Sequence, residues 1–579
     1  MSHMELVVVK HLVLLSGVFL SWALSVVSSG QGNTPSLAGN WKITVLPRGA
    51  HLTLWLVQIR ETQGKLQASL LAAGSPEFRN TRIQEVRFDG QALRLSLEAN
   101  GVTYHVVGYV PKDDPKPNRL LGSNGALGRR DLLRMERTEA KDLGTEAIQV
   151  LADPAATAFE EAFTTADPKA REAAFERIVQ QFPDHPMAFH ALVYLIEHCA
   201  QFDSSVETAR ERAELALRLG EAYGREMVLH VYVQLAHLLA RSARTAPLAL
   251  EYARKAEATL TDSDPLLLHA RLLRALHLAL RNTGDDPGAR QTQERLTRIN
   301  QRLDEDYQKT ALPFTIEPYR GRKGASDRVV LLELFTGTQC PPCVAADLAC
   351  AALLQTYSNK ELLLIQYHLH IPGPDPLTCP DSMKRAAYYR VDGTPMLFLN
   401  GQEGPSVFGY RTQSRERYRT LRSMLDQRLE TEPGARLQLK LQRQDQQLAV
   451  EVNYADIKRP GETLRLRVAL VEGQVSYSAP NGIRLHHNVL RSFLGDSDGI
   501  ALKDRSGSHS LSADLAKVRS DLAKHHEEVS KVLRFPDAEI PLDFRRLKVI
   551  AFIQDDKMQE ILQAAEASVP EISEAPGPP

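Results

Sequence analysis

Between residues 36 and 137 apolar and polar positions alternate with a period of two, as in His51-Leu52-Thr53-Leu54-Trp55-Leu56-Val57 and Ala92-Leu93-Arg94-Leu95-Ser96-Leu97. That period turns one face of each strand toward a core, and the Gly, Asn and Asp residues between runs predict a small antiparallel barrel or sandwich. From 144 to 311 the spacing becomes helical in a stretch rich in Ala, Leu, Arg and Glu, with breaks at Pro186, Pro247, Pro265 and Pro287. A stack of paired helices is expected there. Arg328 to Phe335 is an almost unbroken apolar run, as a strand buried on both faces requires. Residues 360 to 370 form a second such run, and Pro395 to Leu399 a third that turns at Asn400-Gly401, a hairpin signal. A helix from about Arg415 to Leu429 closes this α/β unit, 313 to 430. Alternation returns from 434 to 569, in Leu437-Gln438-Leu439-Lys440-Leu441 and Leu464-Arg465-Leu466-Arg467-Val468, and predicts a C-terminal antiparallel β-sandwich. A charged helical insert from about Ser510 to Arg534 interrupts it, and the Pro-, Gly- and Glu-rich tail, 570 to 579, is expected to be disordered. The expected fold class is multidomain α+β, with these units in series.

Length agrees, since 579 residues are too many for one core. Lys plus Arg is 70 against Asp plus Glu at 71, so no basic field exists to bind nucleic acid by counterion release. Residues 1 to 30 run from Lys10 and His11 through an apolar stretch, Leu12 to Val27, to Ser28-Ser29-Gly30, the order of a secretory signal. A periplasmic or secreted location is expected, with cleavage favoured over a retained signal anchor. Met4 offers an alternative start, and no cysteine follows the apolar stretch to carry a lipid before Cys199. No later run has membrane length.

Five cysteines are too few for a disulfide scaffold, yet two form Cys340-Pro341-Pro342-Cys343, directly after the apolar strand and opening a helix. A helix N-terminus stabilises a thiolate through its free N–H groups and partial positive charge. Cys340 is therefore expected as the exposed nucleophile and Cys343 as the resolving thiol one turn inside. Pro341 and Pro342 supply no N–H, which leaves chiefly the Cys343 amide as donor. The thiolate should be only moderately stabilised, with a pKa not below about 5, and the pair no extreme oxidant. Zinc is disfavoured because no second Cys-x-x-Cys or matching Cys/His pair lies nearby.

The order of apolar strand, Cys340-Pro341-Pro342-Cys343, helix, strand, Gly393-Thr394-Pro395, strand and Asn400-Gly401 hairpin resembles the thioredoxin-like family over roughly Pro313 to Glu430. The resemblance implies that Pro395 is cis and beside the cysteines, and that Thr394 offers its backbone to a substrate strand. It breaks at Leu334, which stands where the family places a buried proton-relaying Asp. Glu333 points to the opposite strand face. Leu334-Phe335-Thr336-Gly337, Tyr367-His368, Gly482-Ile483-Arg484, His486 to Arg491 and Ile550 to Asp555 resemble exported bacterial proteins that join such a domain to a C-terminal β-sandwich. Gly39-Asn40-Trp41 resembles the opening of lipocalin-type barrels, set against a plain accessory β domain. Ala173-Ala174-Phe175, Ile178 and Phe182-Pro183, with the echo at Ala249, Tyr252-Ala253 and Asp264-Pro265, resemble tetratricopeptide helices without the full repeat. A peptide or protein partner on those helices stands beside the plainer reading of a scaffold.

Cys350 and Cys199 are expected in cores. Cys379, in the Pro-rich insertion Ile371 to Asp381, is either an accessory redox thiol or an idle one. His368 and His370 share a strand face and could join the cysteine pair round copper, against the plainer reading of buried imidazoles; His486 and His487 point to opposite faces, and no metal is assigned. Nor is any cofactor expected, since nucleotide, serine-hydrolase and zinc-protease motifs are missing. The leading expectation is an exported thiol-disulfide oxidoreductase acting on protein disulfides. A non-enzymatic adaptor with a structural disulfide is the alternative, and a metal carrier a third. Exposure of Cys340 discriminates the first two.

Overall fold

The computed structural model describes residues 35–144, 153–201, 205–537 and 540–571. The expected signal, and the tail beyond Glu571, lie outside the described residues. Eight strands come first: β1 (Gly39–Val45), β2 (Leu52–Thr62), β3 (Lys65–Ala73), β4 (Arg82–Phe88), β5 (Ala92–Ala99), β6 (Val102–Tyr109), β7 (Arg119–Ala126) and β8 (Arg129–Thr138). All pairs are antiparallel in the order β3-β2-β1-β8-β7-β6-β5-β4, and β3 packs along β4 without pairing, so the barrel is nearly closed. The β5–β6 turn is made by Asn100-Gly101, both at positive φ, which Asn and Gly tolerate. Trp41, Ile43, Trp55, Leu95, Leu97 and Met135 fill the interior. The Trp41 indole donates to the Leu37 carbonyl (2.9 Å) and the Arg137 guanidinium lies over its ring, 4.6 Å from the centre.

The helices are α1 (Pro154–Thr164), α2 (Pro168–Gln181), α3 (Pro186–Gln201), α4 (Val206–Glu221), α5 (Arg225–Leu239), α6 (Ala246–Thr259), α7 (Leu266–Asn282) and α8 (Asp286–Thr310). The prolines that break the pattern all sit at helix starts: Pro186 opens α3, Pro247 and Pro287 are second residues of α6 and α8, and Pro265 caps α7. There the missing N–H costs nothing. Each helix packs on the next, and α1, α3, α5 and α7 also pack on one another in turn. Part of the face of α5 and α7 is occupied by residues 535 to 537. Arg241 on the turn after α5 donates to the Phe535 carbonyl (2.9 Å), His237 on α5 meets the Pro536 carbonyl (3.0 Å), and Arg274 on α7 pairs with Asp537 (3.0 Å). The barrel's Leu46 and Leu132 join the same apolar cluster as α3 and α5.

The rest comprises β9 (Val330–Thr336), α9 (Val344–Thr356), β10 (Leu362–His368), α10 (Pro380–Tyr389), β11 (Met396–Leu399), β12 (Gln402–Glu403), α11 (Ser414–Leu429), β13 (Arg436–Gln444), β14 (Gln447–Ala455), β15 (Leu464–Ser476), β16 (Leu485–Phe493), β17 (Ile500–Ala501), β18 (Gly507–Asp514), α12 (Leu515–Ser530), β19 (Leu547–Asp555) and β20 (Ile561–Ser568). The two units expected from 313 to 430 and from 434 to 569 share one mixed sheet, ordered β12-β11-β9-β10-β16-β15-β19-β20, with β17 on β15. They meet where β10 runs parallel to β16 at Gln366 and Val489, and the Gln366 side chain accepts the His487 N–H (2.9 Å). A second sheet, β13-β14-β18, packs its Leu448, Val450 and Val452 against Val468, Leu470 and Val549 of the first, so a two-layer sandwich exists but one layer continues into the cysteine-bearing unit. The insert expected to be helical from Ser510 begins instead as β18, which pairs with β14, and α12 starts at Leu515. No helix of the described residues is long and apolar enough to cross a membrane.

Candidate functional site

Strand β9, between β11 and β10, is buried along its whole length and leads from its C-terminal end to Cys340. Its two faces serve different layers. Leu332 and Leu334 pack on Ala346, Ala349 and Cys350 of α9, while Leu331 and Phe335 face the α10 side. Glu333 lies on that second face, where Arg385 grips it twice (2.8 and 3.0 Å) and Tyr367 and Tyr389 donate to it (2.8 and 2.7 Å). It is a buried structural pair, remote in direction from the cysteine side.

Cys340 and Cys343 form a disulfide. Pro341–Cys343 is a single 3₁₀ turn that leads into α9. The Cys343 amide, which the sequence leaves as the principal donor for a Cys340 thiolate, donates to the Cys340 carbonyl instead (3.2 Å), and the Ala345 amide goes to Gly409 (3.0 Å). The first turn of α9 therefore has few donors left for the outer sulfur. The Thr394–Pro395 peptide is cis, and the Thr394 carbonyl oxygen lies 3.5 Å from Cys340 Sγ.

The expectation of an exposed nucleophile is not met: Cys340 is 1% exposed and Cys343 0%. The loop between β15 and β16 is tied to the segment that carries the disulfide. Asn481 reaches over it with its side-chain amide donating to the carbonyls of Gly337 (3.1 Å) and Cys340 (3.2 Å), and its backbone N–H to Thr338 (3.1 Å).

Asp347 is the residue that sequence reasoning missed. It lies one turn past Cys343 on α9, receives the Thr336 hydroxyl (2.9 Å) and the Gln366 amide (3.0 Å), and is enclosed entirely. Burial pushes its carboxyl up to about 7, over the opposing pull of His368 and Thr336. The signal was a single acidic residue in the otherwise apolar Val344-Ala345-Ala346-Asp347-Leu348-Ala349-Cys350. Its carboxyl thus sits in the layer of Leu334 but is supplied by the helix.

Asp375, from the Pro-rich insertion, anchors the loop before the disulfide. It accepts the Thr338 N–H (2.7 Å) and the Leu377 N–H (2.8 Å) and meets His368 Nδ1 (2.9 Å). Although burial opposes it, His368 and these N–H donors hold its carboxyl below the usual range. His368 is thereby committed to Asp375, and His370 Nδ1 accepts the Asp375 N–H (3.0 Å). Among the described residues these imidazoles and the cysteines do not gather round one point. Cys379 is buried as the N-cap of α10, taking the Ser382 N–H and lying 3.2 Å from its hydroxyl. Burial pushes its thiol up to about 11, the opposite of what a reactive accessory thiol needs. Cys350 and Cys199 are buried.

No protein-family model matches the chain, and no curated protein does. Among solved structures the chain is similar to HBP35 of Porphyromonas gingivalis, at 16% identity and a TM-score of 0.32, over 44% of this chain and 82% of that one. At that TM-score the likeness says nothing of fold or function.

Proposed function

We propose that the chain is an exported thiol-disulfide oxidoreductase whose working pair is Cys340 and Cys343, on a thioredoxin-like unit set beside tetratricopeptide-like helices. The observation that carries this reading is the contact of the outer sulfur with the Thr394 carbonyl at 3.5 Å, beside a backbone that can pair with a substrate strand. In the reducing direction, the Cys340 thiolate attacks one sulfur of a protein disulfide; a mixed disulfide forms and a substrate thiolate leaves. The Asp347 carboxylate then takes the Cys343 proton, and the Cys343 thiolate attacks Cys340 Sγ, releasing the second substrate thiolate and closing the Cys340–Cys343 disulfide. Two electrons pass to the substrate, and the reverse sequence oxidises a dithiol. Thr394 and Pro395 contribute the substrate-binding backbone. The Asn481 loop must lift before either direction begins.

Burial of Cys340 favours a second reading, an envelope adaptor in which the disulfide is a staple. Its peptide-binding surface would not be the odd-numbered helix face where Phe535 to Asp537 lie. Glutathione equilibration of the pair together with insulin reduction, using Cys340→Ser as control, separates the two. A reversible couple with turnover is the expected result; a pair that neither exchanges nor turns over leaves the adaptor.

A further inference from the structure

Three side chains from different elements meet at the seam between barrel and helices. His51 lies in the loop between β1 and β2, Asp153 caps α1, and His185 directly precedes α3. His51 Nε2 is 2.9 Å from Asp153 Oδ2, and His185 Nε2 is 3.2 Å from it. One ligand atom from each residue lies within 4.8 Å of the other two. The site is enclosed, with the His51 and Asp153 side chains 7% and 12% exposed.

These short contacts lack hydrogen-bond direction. His51 Nε2, His51 Nδ1 and Asp153 Oδ2 are all buried without a hydrogen-bond partner. A folded chain leaves few such atoms unmatched, and three at one point call for a common partner. Three ligand atoms this close together are spaced as the donors of one cation can be. The carboxylate is already oriented: Oδ1 accepts the Ala155 N–H at 2.9 Å, which leaves Oδ2 for the histidines. Arg134 is the cation that faces the cluster, and it is paired with Glu136 at 3.2 Å.

We infer that His51, Asp153 and His185 bind one divalent transition-metal ion of the zinc class. Two imidazoles and a carboxylate are a donor set that zinc takes, with water in the fourth position. That water enters on the His185 side, where the side chain is 28% exposed. Coordination through Nε2 puts the His185 proton on Nδ1, so the Met187 N–H contact to that atom (3.2 Å) is given up. The ion ties the barrel to α1 and α3, beside the contact of His190 with the Leu46 carbonyl. The ligands are 102 and 32 residues apart (51 to 153, 153 to 185), so no motif spacing announces them.

The test uses the full chain with its disulfide intact, stripped with chelator and titrated with zinc by calorimetry and with cobalt by visible absorption. One equivalent of each ion is expected, the cobalt complex showing ligand-field bands without thiolate charge transfer, and zinc raising the melting temperature. His51→Gln and His185→Gln should each weaken zinc binding by more than the roughly 10–100-fold that loss of an outer partner costs. Asp153→Asn keeps a helix cap, so it guards against misfolding as the cause, and should weaken binding likewise. His368→Gln should leave it unchanged. Absence of saturable binding, binding indifferent to all three ligand variants, or binding that needs the reduced cysteines would each overturn the site.

Discussion

Asp347 is held by two neutral donors, and burial outweighs the pull of His368 on its charge. Its carboxyl, ordinarily near 3.8 and here raised to about 7, binds a proton more tightly folded than unfolded. The folded chain therefore carries the extra proton between those values, and stability is lost as pH rises through that window. Asp347→Asn removes the loss, so the variant should melt higher than the parent at pH 8. In the proposed exchange the same substitution removes the base for Cys343. Stopped-flow resolution of a mixed disulfide should slow by roughly 10²-fold and lose its inflection near pH 7. An unchanged pH profile would show that the carboxyl takes no part. Glu333 makes the opposite case, a carboxylate with every oxygen matched. Glu333→Gln leaves the Arg385 guanidinium buried beside a neutral amide, and should cost about 3–5 kcal/mol in urea unfolding without altering the chemistry of the cysteines.

The loop between β15 and β16 is the element whose hold on the disulfide segment bears on access to the pair. Asn481 closes it with two side-chain donations, and its own Oδ1 accepts the Ile483 N–H (3.1 Å). At about 1 kcal/mol net for each bond, Asn481→Ala should raise the open population and speed reduction of the disulfide by dithiothreitol about tenfold or more, measured by thiol release. If the rate does not move, the cover is held elsewhere. None of this latch was legible in the sequence, because Asn481 and Cys340 are 141 residues apart and an Asn in a loop has many uses. What was legible is local. The unbroken apolar runs gave β9 and β10, the Asn400-Gly401 signal gave the β11–β12 hairpin, and the prolines marked helix starts, since each signal acts within a few residues. The joining of β10 to β16 was hidden because a strand's own pattern says that it pairs, not with which partner. The start of β18 was misread because Gly507-Ser508-His509-Ser510 carries no apolar alternation, and its pairing with β14 overrides that weak propensity. The cysteine pair stood out by spacing; Asp347 did not, since a lone acid in a helix is ordinary until the helix is known to be buried on that side.

Across the whole molecule, buried imidazoles join parts of the chain that are distant in sequence. His190 of α3 meets the barrel's Leu46 carbonyl (2.7 Å), His237 of α5 meets Pro536, His486 meets Tyr477 (3.2 Å) where β16 lies against the disulfide loop, and the neighbouring His487 is enclosed beside β10. Burial lowers all of them, His190, His237 and His487 to about 4 and His486 to about 3. An unfolded histidine titrates near 6.5, so between there and about 4 the unfolded chain binds more protons, and stability falls as pH drops through that range. Each imidazole contributes on the order of 1–2 kcal/mol to the loss by pH 5. Asp347 acts in the reverse sense over part of the window, as do the raised carboxyls of Asp131 and Glu472, while His230 and His526 add to the side of the histidines. The expected outcome is a urea midpoint that falls steeply between pH 7 and 5, with a proton uptake on unfolding greater than two. Because these histidines sit at the contacts between barrel, helices and mixed sheet, His237→Gln should flatten the slope while weakening the hold of the Pro536 segment, seen as faster hydrogen exchange there. A midpoint independent of pH over that range would mean that the histidines are protonated, or reached by water, in the folded chain.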